Sequence, residues 1–244
     1  MRRIVLSLAF TALTLILPTR SFALTYSLVD DWSNISNPNG PWSYNAGSNP
    51  LPFNVADWPL DEFGPSQTAW AYGNVLRDTF LPGWFKSVVD PNSFGHAQPY
   101  DWLVGDVIVH SSDSTGSQKY GPANVTWTSP TDGIYDIYGG LWSGRDIGRS
   151  NDWKLYLDNV LLANGSVFDG DIYSRSNPDS FNFNGVSISQ GSVLRLEVVR
   201  TTNGEDFVGV NFDINVVPEP ATGVLLLSGL LGLARLRKIV RSKE

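Results

Sequence analysis

Paired carboxylates are the residues of this sequence whose types and spacing could most directly do chemistry. Two facing carboxyl groups can act as the acid and the base or nucleophile of glycoside hydrolysis. Close pairs occur at four places: Asp30-Asp31, Asp61-Glu62, Asp169-x-Asp171 and Glu205-Asp206. Acidic residues are so frequent here that pairs arise by chance, and a catalytic acid is marked by a perturbed environment rather than by its presence. We therefore expect solvated carboxylates and assign no catalytic residue; a glycosidase-like enzyme remains the alternative.

Other catalytic chemistry has little support in the sequence. The chain has no cysteine, and its two histidines, His96 and His110, do not stand at a metal-binding spacing. No G-x-S-x-G or S-x-x-K motif marks a serine nucleophile. Asp169 and Asp171 are weak calcium candidates, because their loop lacks the repeated oxygen ligands and terminal Glu of a calcium-binding loop. We therefore predict no cofactor, and no metal site beyond this weak candidate.

Aromatic residues offer a second kind of site. All nine tryptophans fall between residues 24 and 217. Flat aromatic rings can stack on the apolar faces of sugars while polar neighbours fix the hydroxyls. Trp127 and Trp153 follow the apolar alternation of strands, so we assign them to the core. Trp84 and Trp142 border glycine-containing turns, where binding residues are frequent. The candidate glycan-binding residues are Trp84, Trp142, Tyr138 and Trp102, although packing explains such residues at least as well.

Strands must position these residues, because apolar side chains recur at every second position of several segments. FVGVNFDINV and VLRLEVV both alternate apolar residues with polar residues or glycine. Such a pattern places every apolar side chain on one face of a strand. The residues predicted to face the core are Val208, Val210, Phe212, Ile214, Leu194, Leu196 and Val198.

The remaining segments favour an all-β fold. DWKLYLDNVLL predicts a hairpin with its turn at Asp158-Asn159. Other candidate strands are 102–110, 123–128, 134–142 and 181–189. No segment between residues 24 and 217 shows a convincing helical period over ten or more residues, so we predict an antiparallel β-sandwich, jelly-roll-like. We interpret residues 24–100 as edge strands and long loops of the same domain; a separate small domain is the alternative.

The N-terminus has the order of a secretory signal peptide. Arg2 and Arg3 precede an apolar run at 4–17, and the small-x-small triplet Ser21-Phe22-Ala23 follows. We predict a signal peptide over 1–23, with a mature domain over 24–217. Because that domain has no cysteine, its stability must come from packing rather than from disulfides.

The charge of the predicted domain restricts its partners. Residues 24–217 contain nine basic and 22 acidic residues, a net charge of −13. Such a surface repels phosphate backbones and anionic headgroups, so we do not expect nucleic-acid binding.

The C-terminus has three parts in a fixed order. Pro218, Glu219 and Pro220 are followed by an apolar segment, 221–234, and then by Arg235, Arg237 and Lys238. As a helix, the apolar segment would reach only about 21 Å, short of a hydrocarbon core of about 30 Å. We therefore predict a marginal membrane helix whose basic end stays in the cytoplasm.

This tail, VPEPATGVLLLSGLLGLARLRK, resembles a PEP-CTERM sorting signal over residues 218–244. The resemblance implies an exported bacterial protein that is transiently anchored in the membrane. It also implies processing by an exosortase-type enzyme as partner, and release to the cell surface or the extracellular matrix of an organism that makes exopolysaccharide or biofilm.

A weaker resemblance covers the predicted domain. YSLVDDWSNISNPNGPWSY and ANVTWTSPTDGIYDIYGGLWSGRD are similar to stretches of secreted PEP-CTERM proteins with jelly-roll, carbohydrate-binding-like domains. Together with the aromatic residues, this resemblance leads us to expect a non-catalytic protein, with an exopolysaccharide as a candidate partner. It carries no diagnostic ligand set, so it bears on fold more than on activity.

Overall fold

The computed structural model describes residues 24–58, 67–73, 81–94, 100–112, 120–202, 204, 206–218 and 229. The predicted signal peptide lies outside these residues, and so does the predicted sorting signal apart from Pro218 and Gly229. Among the carboxylate and histidine candidates, Asp61, Glu62, His96 and Glu205 also lie outside them. Within the described part of the chain, no helix has the length and apolar character needed to cross a membrane.

The described residues are built from antiparallel strands and a short 3-10 helix at Pro91–Phe94. The strands are β1 (Thr25–Ser27), β2 (Trp42–Ala46), β3 (Asn49–Pro50), β4 (Phe53–Trp58), β5 (Gln67–Ala71), β6 (Gly83–Lys86), β7 (Val107–His110), β8 (Ala123–Thr128), β9 (Gly133–Ser143), β10 (Ser150–Leu157), β11 (Val160–Phe168), β12 (Asp179–Ile188), β13 (Val193–Arg200) and β14 (Phe207–Val216). The predicted strand at 123–128 has the predicted bounds. The one predicted at 102–110 is limited to β7, because residues 102–106 leave the sheet.

The hairpin β10–β11 confirms the turn predicted at Asp158-Asn159. These two residues have φ angles of 48° and 71°, and Leu157 pairs with Val160 across the turn. Two successive positive φ angles are the mark of a type I′ turn, which asparagine and aspartate tolerate better than most residues.

The larger sheet has eight strands and the order β12-β9-β14-β7-β6-β5-β4, with β1 also paired to β14. Strand β14 is long enough to have two partners on one side. Its first half pairs with β7 from Phe207 to Val210, and its second half pairs with β1 from Asp213 to Asn215. The N-terminal strand therefore extends the same sheet as the C-terminal one.

The smaller sheet has six strands in the order β11-β10-β13-β8-β2-β3. Strand β2 pairs with β8 along its whole length, so strands from the first hundred residues take part in both sheets. From β8 to β14 the chain crosses repeatedly from one sheet to the other. Such crossings are those of a jelly-roll sandwich.

The core lies between the two sheets. All seven residues predicted to face it are fully buried, and Trp127 and Trp153 are buried with them. Phe212 of the larger sheet packs edge-on against Trp42 of the smaller sheet, at 5.5 Å between ring centroids. The two sheets thus share one apolar interior, which confirms the predicted antiparallel sandwich.

The outer face of the larger sheet is divided into two halves. Over β4 to β7 and the start of β14, a second apolar cluster covers the sheet, and it includes Phe85, Ile108 and Phe207. Tyr100 and Trp102, from the segment before β7, pack on top of these residues. The other half, over β1, β9, β12 and the end of β14, carries polar side chains.

Candidate functional site

An open groove of about 540 Å³ lies on the polar half of the larger sheet's outer face. Its floor and walls come from β1, β9, β12 and β14 and from the turn after β1. The lining residues are Ser27, Val29, Asp30, Tyr138, Gly139, Gly140, Pro178, Ser180, Phe181, Asn182, Asn211 and Asp213.

Strand pairing arranges the polar side chains of the groove in rows. Asn182 of β12 pairs with Tyr138 of β9, Tyr138 pairs with Asp213 of β14, and Asp213 pairs with Ser27 of β1. Directly opposed residues on neighbouring strands have their side chains on the same face of the sheet. An amide, a phenol, a carboxylate and a hydroxyl therefore stand in one line across four strands.

A second row runs parallel to the first and has a glycine at its centre. Gly140 of β9 lies between Ser180 of β12 and Asn211 of β14. A Cβ atom at Gly140 would lie 2.9 Å from Cβ of Pro178 and 3.1 Å from Oγ of Ser180. No side chain fits there without a shift of its neighbours, so glycine keeps the floor of the groove low.

The hydroxyl of Tyr138 is held by a third row. Nδ2 of Asn215 donates to the Tyr138 hydroxyl at 3.2 Å, and Oδ1 of Asn215 accepts from Thr25 Oγ1 at 2.7 Å. This chain of hydrogen bonds fixes the orientation of the phenol ring. Binding of a ligand therefore does not have to restrict the ring further, which lowers the entropic cost of binding.

The carboxylates at the groove differ in their surroundings. Burial raises the pKa of Asp213; the negative charges of Asp30 and Asp31 act in the same direction, while a hydrogen bond from Ser27 lowers this pKa. Asp31 serves the fold, because its Oδ2 accepts from the Ser27 amide and from Trp42 Nε1, each at 3.0 Å. Asp30 and Asp213 are the two carboxylates that line the groove.

This set of side chains suits hydrogen bonding to a polar, hydroxyl-rich ligand. Amides and hydroxyls donate and accept, carboxylates accept, and the ring of Tyr138 offers an apolar face. Within the described residues, no group of three or more His, Asp or Glu side chains is placed to hold a metal ion.

The three candidate tryptophans are not at this surface, which corrects their prediction as glycan-binding residues. Trp84 and Trp142 are fully buried, and Trp102 is 1% exposed. Trp84 faces the core. Trp142 lies over Gly209, with its Nε1 donating to the Asp101 carbonyl at 2.6 Å. Their rings have no face left for a sugar. Tyr138 is the one of the four candidates that lines the groove.

The weak calcium candidates have structural roles. Oδ2 of Asp169 accepts from the backbone amides of Ile147 and Arg149 at 2.5 and 2.7 Å. The two oxygens of Asp171 accept from the amides of Phe168 and Tyr173 at 2.8 and 2.6 Å. Asp169 thus joins its loop to the loop after β9, and Asp171 closes the loop that follows β11. Their assignment as weak calcium candidates stays a prediction. Asp169 also lines a smaller depression of about 330 Å³ at the end of the sandwich, and it is committed there to the loop after β9.

Asp206, from the last predicted pair, is enclosed between the sheets. It is 1% exposed, and Nδ2 of Asn151 donates to its Oδ2 at 3.2 Å. Burial raises its pKa to about 7, and the charge of Asp169 acts in the same direction. It cannot meet a polymeric substrate from this position.

Sequence reasoning did not single out Asn182, Asn211, Asp213 or Ser180 as site residues. Asn211 and Asp213 stand between the predicted core positions of β14 and look like an ordinary solvent face. The sequence of that face does carry one signal: its polar residues are asparagine and aspartate, and it has no lysine or arginine.

Comparisons with known proteins find similarity only to solved structures. No protein-family model matches the chain, and no curated protein matches it. The CBM22-1 xylan-binding domain from Paenibacillus barcinonensis is 12% identical, with 81% of this chain and 95% of that chain covered and a TM-score of 0.34. The CBM36-1 domain of a xylanase from the hindgut metagenome of Trinervitermes trinervoides is 12% identical, with 52% and 90% covered and a TM-score of 0.30. The C-terminal CBM6 of a laminarinase from Zobellia galactanivorans is 14% identical, with 44% and 78% covered and a TM-score of 0.27. At these TM-scores, the function of the groove has to be argued from its own geometry.

Proposed function

We propose that this protein is a non-catalytic cell-surface or extracellular-matrix protein that binds polysaccharide in the groove of its larger sheet. The observation that carries the proposal is the row of Asn182, Tyr138, Asp213 and Ser27, four hydrogen-bonding side chains aligned across four strands. A sugar polymer presents hydroxyls at regular intervals along its length, and such a row can meet several of them in succession.

The length of the row suits a polymer better than a small compact ligand. Neighbouring strands are about 4.8 Å apart, so the row spans about 14 Å from β12 to β1. Gly140 keeps the floor low beside the ring of Tyr138, so a sugar ring can lie against the aromatic face. Aromatic residues with one polar end are efficient at this type of contact, because few rotatable bonds have to be ordered.

Delivery to the surface follows from the two ends of the chain. The signal-peptide pattern over 1–23 directs export, and the Pro-Glu-Pro motif with its apolar and basic segments supports sorting by an exosortase-type enzyme. The membrane would then hold the protein only until processing, and a polysaccharide-binding domain would be left among the exopolysaccharide of the producing cell.

The runner-up is a glycan-active enzyme. Asp30 and Asp213 line the same groove, and a pair of carboxyl groups about 5 to 10 Å apart could cleave a glycosidic bond. This alternative predicts shortened oligosaccharides when the protein is incubated with a polysaccharide that it binds, and Asp213→Asn would abolish their release while leaving retention of the polymer measurable.

Affinity electrophoresis in gels that contain individual polysaccharides tests the binding proposal. Tyr138→Ala and Asn182→Ala should each weaken retention of the full-length protein at least about fivefold, the usual effect of removing an anchor residue at a binding surface. Tyr156→Ala is the matched control, because this tyrosine lies on β10 of the other sheet, where it stacks with Arg195. Equal retention of all four proteins on every polysaccharide tested would contradict the proposal.

A further inference from the structure

The four strands that form the groove carry no positive charge. Neither lysine nor arginine occurs in β1, β9, β12 or β14. The described residues that line the groove contain two carboxylates, Asp30 and Asp213, and no basic side chain. The groove therefore has a negative potential, and the net charge of −13 over residues 24–217 adds to it at low ionic strength.

One basic side chain reaches the edge of the groove: the ammonium of Lys86 donates to the Val29 carbonyl at 2.8 Å. No basic side chain is among the causes that shift the pKa of Asp213. The raised pKa of Asp213 is consistent with this, because burial and the charges of Asp30 and Asp31 all disfavour its ionised form. A negatively charged group on a ligand would be repelled by these carboxylates.

Most of the remaining groove is uncharged and hydrogen-bonding. Asn182, Asn211 and Ser180 offer amide and hydroxyl groups, and these match hydroxyls without a requirement for ligand charge. The carboxylates are strong acceptors for hydroxyl protons, so they can serve the same neutral ligand.

The shape of the groove bears on which part of a polymer can bind. The groove is an open depression rather than an enclosed pocket, and the row from Asn182 to Ser27 crosses four strands. An open groove can hold an internal stretch of chain, whereas recognition of a chain end requires a closed pocket around the last residue.

From these observations we infer that the groove selects an uncharged polysaccharide, bound along an internal stretch of its chain, and rejects polymers that carry carboxylate or sulfate groups. This inference rests on the proposed polysaccharide-binding function of the same site. It narrows that function to one chemical class of ligand.

The test compares neutral and acidic polymers on the same protein. Retention of the full-length protein is measured in gels that contain xylan, laminarin or galactomannan, and in gels that contain alginate or polygalacturonate, at 20 and 300 mM NaCl. We expect retention by at least one neutral polymer that changes less than about twofold with salt, and retention by the acidic polymers that is at least about tenfold weaker. In Asp30→Asn/Asp213→Asn, the ratio of acidic to neutral affinity should rise about tenfold, because two repulsive charges have been removed.

The outcomes separate this inference from the proposed function. Retention by an acidic polymer that is stronger than retention by any neutral one, and that is lost in Tyr138→Ala, would overturn the ligand class and leave the binding function in place. Salt-sensitive retention by chitosan, a cationic polymer, that exceeds retention by the neutral ones would also overturn it. Absence of retention by every polymer would overturn both. Equal affinity for a long neutral polymer and for its isolated end disaccharide would overturn binding along the chain.

Discussion

Tyr138 of β9 and Asp213 of β14 are directly opposed on neighbouring strands, and both side chains line the groove. The phenol ring and the carboxylate are therefore held at the spacing of a cross-strand pair, about 5 Å between Cβ atoms. A sugar that lies against the ring of Tyr138 brings its hydroxyls within reach of the Asp213 carboxylate.

This pairing predicts that glycan affinity depends on pH. Burial raises the pKa of Asp213, as do the charges of Asp30 and Asp31, so this carboxylate takes up a proton at a higher pH than an ordinary aspartate. Protonation weakens it as an acceptor for hydroxyl groups. Affinity should therefore be highest near pH 7 and fall as the pH decreases toward 4.

Titration of binding between pH 7 and pH 4 by affinity electrophoresis or calorimetry checks this dependence. Asp213→Asn should bind the glycan more weakly at pH 7, and its affinity should change less between pH 7 and pH 4. In the control Glu197→Gln, on β13 of the other sheet, the affinity should decrease toward pH 4 as it does in the wild type. If the affinity of Asp213→Asn decreased toward pH 4 as much as that of the wild type, the pH dependence would belong to another group.

The second prediction concerns the packing of Phe212 in the core and the stability of the protein. Phe212 is fully buried, and its ring lies 5.5 and 5.7 Å from those of Trp42 and Phe181. Phe212→Ala should lower the free energy of unfolding by about 3 to 5 kcal/mol, because it leaves a cavity between the two sheets. Ile35→Ala is the control: this side chain is 93% exposed, so its loss should change the value by less than about 0.5 kcal/mol. Chemical unfolding followed by tryptophan fluorescence measures both, and equal midpoints would show that Phe212 does not pack as described.

The third prediction concerns the buried carboxyl group of Asp206, which should make the free energy of unfolding depend on pH. Burial raises its pKa to about 7 in the folded protein from an unfolded value of 3.8, and the charge of Asp169 acts in the same direction. The folded state therefore holds this proton over a range in which the unfolded state has released it. Its contribution to stability is fully present below about pH 4, decreases as the pH rises, and is lost above about pH 7.

Replacement of Asp206 by Asn should remove this component. The free energy of unfolding of the wild type, relative to that of Asp206→Asn, should fall between pH 4 and pH 7 with a slope of up to about 1.4 kcal/mol per pH unit. Asp146→Asn, at an exposed position near the same end of the sandwich, should run parallel to the wild type. Parallel curves for all three proteins would show that Asp206 does not titrate in this range.

The parts of the structure that the sequence predicts well are local. The turn at Asp158-Asn159 and the inward face of β14 each follow from a few consecutive residues, because turn type and alternation are properties of a single segment. The groove is different: Ser27, Tyr138, Asn182 and Asp213 become neighbours only through the pairing of four strands that are distant in sequence.

The tryptophans show what the sequence pattern could not predict. Trp142 stands beside a glycine-containing turn, which favours exposure, yet the segment before β7 folds over the outer face of the larger sheet and covers it. Trp102, in that segment, is buried in the same way. Whether an aromatic residue next to a turn is covered depends on a tertiary contact, and no local pattern reports it. Tyr138, on the half of the same face that this segment leaves open, lines the groove.

The last prediction concerns the tail, which follows from the order of its segments. As a helix, the apolar run 221–234 would be too short for a durable span, and the basic residues after it favour a cytoplasmic end. Proline disfavours a helix, so we expect the two prolines around Glu219 to present an extended motif just outside the bilayer. If a processing enzyme reads this motif, Glu219→Ala should accumulate as uncleaved protein in the membrane fraction, while deletion of 218–244 should release a folded, unprocessed domain into the medium. Glu244→Ala, at the far end of the tail, is the control and should be sorted normally. Mass spectrometry of the matrix-associated protein decides the matter: peptides that extend through Lys238 in the mature form would make the tail a permanent anchor and contradict the sorting hypothesis.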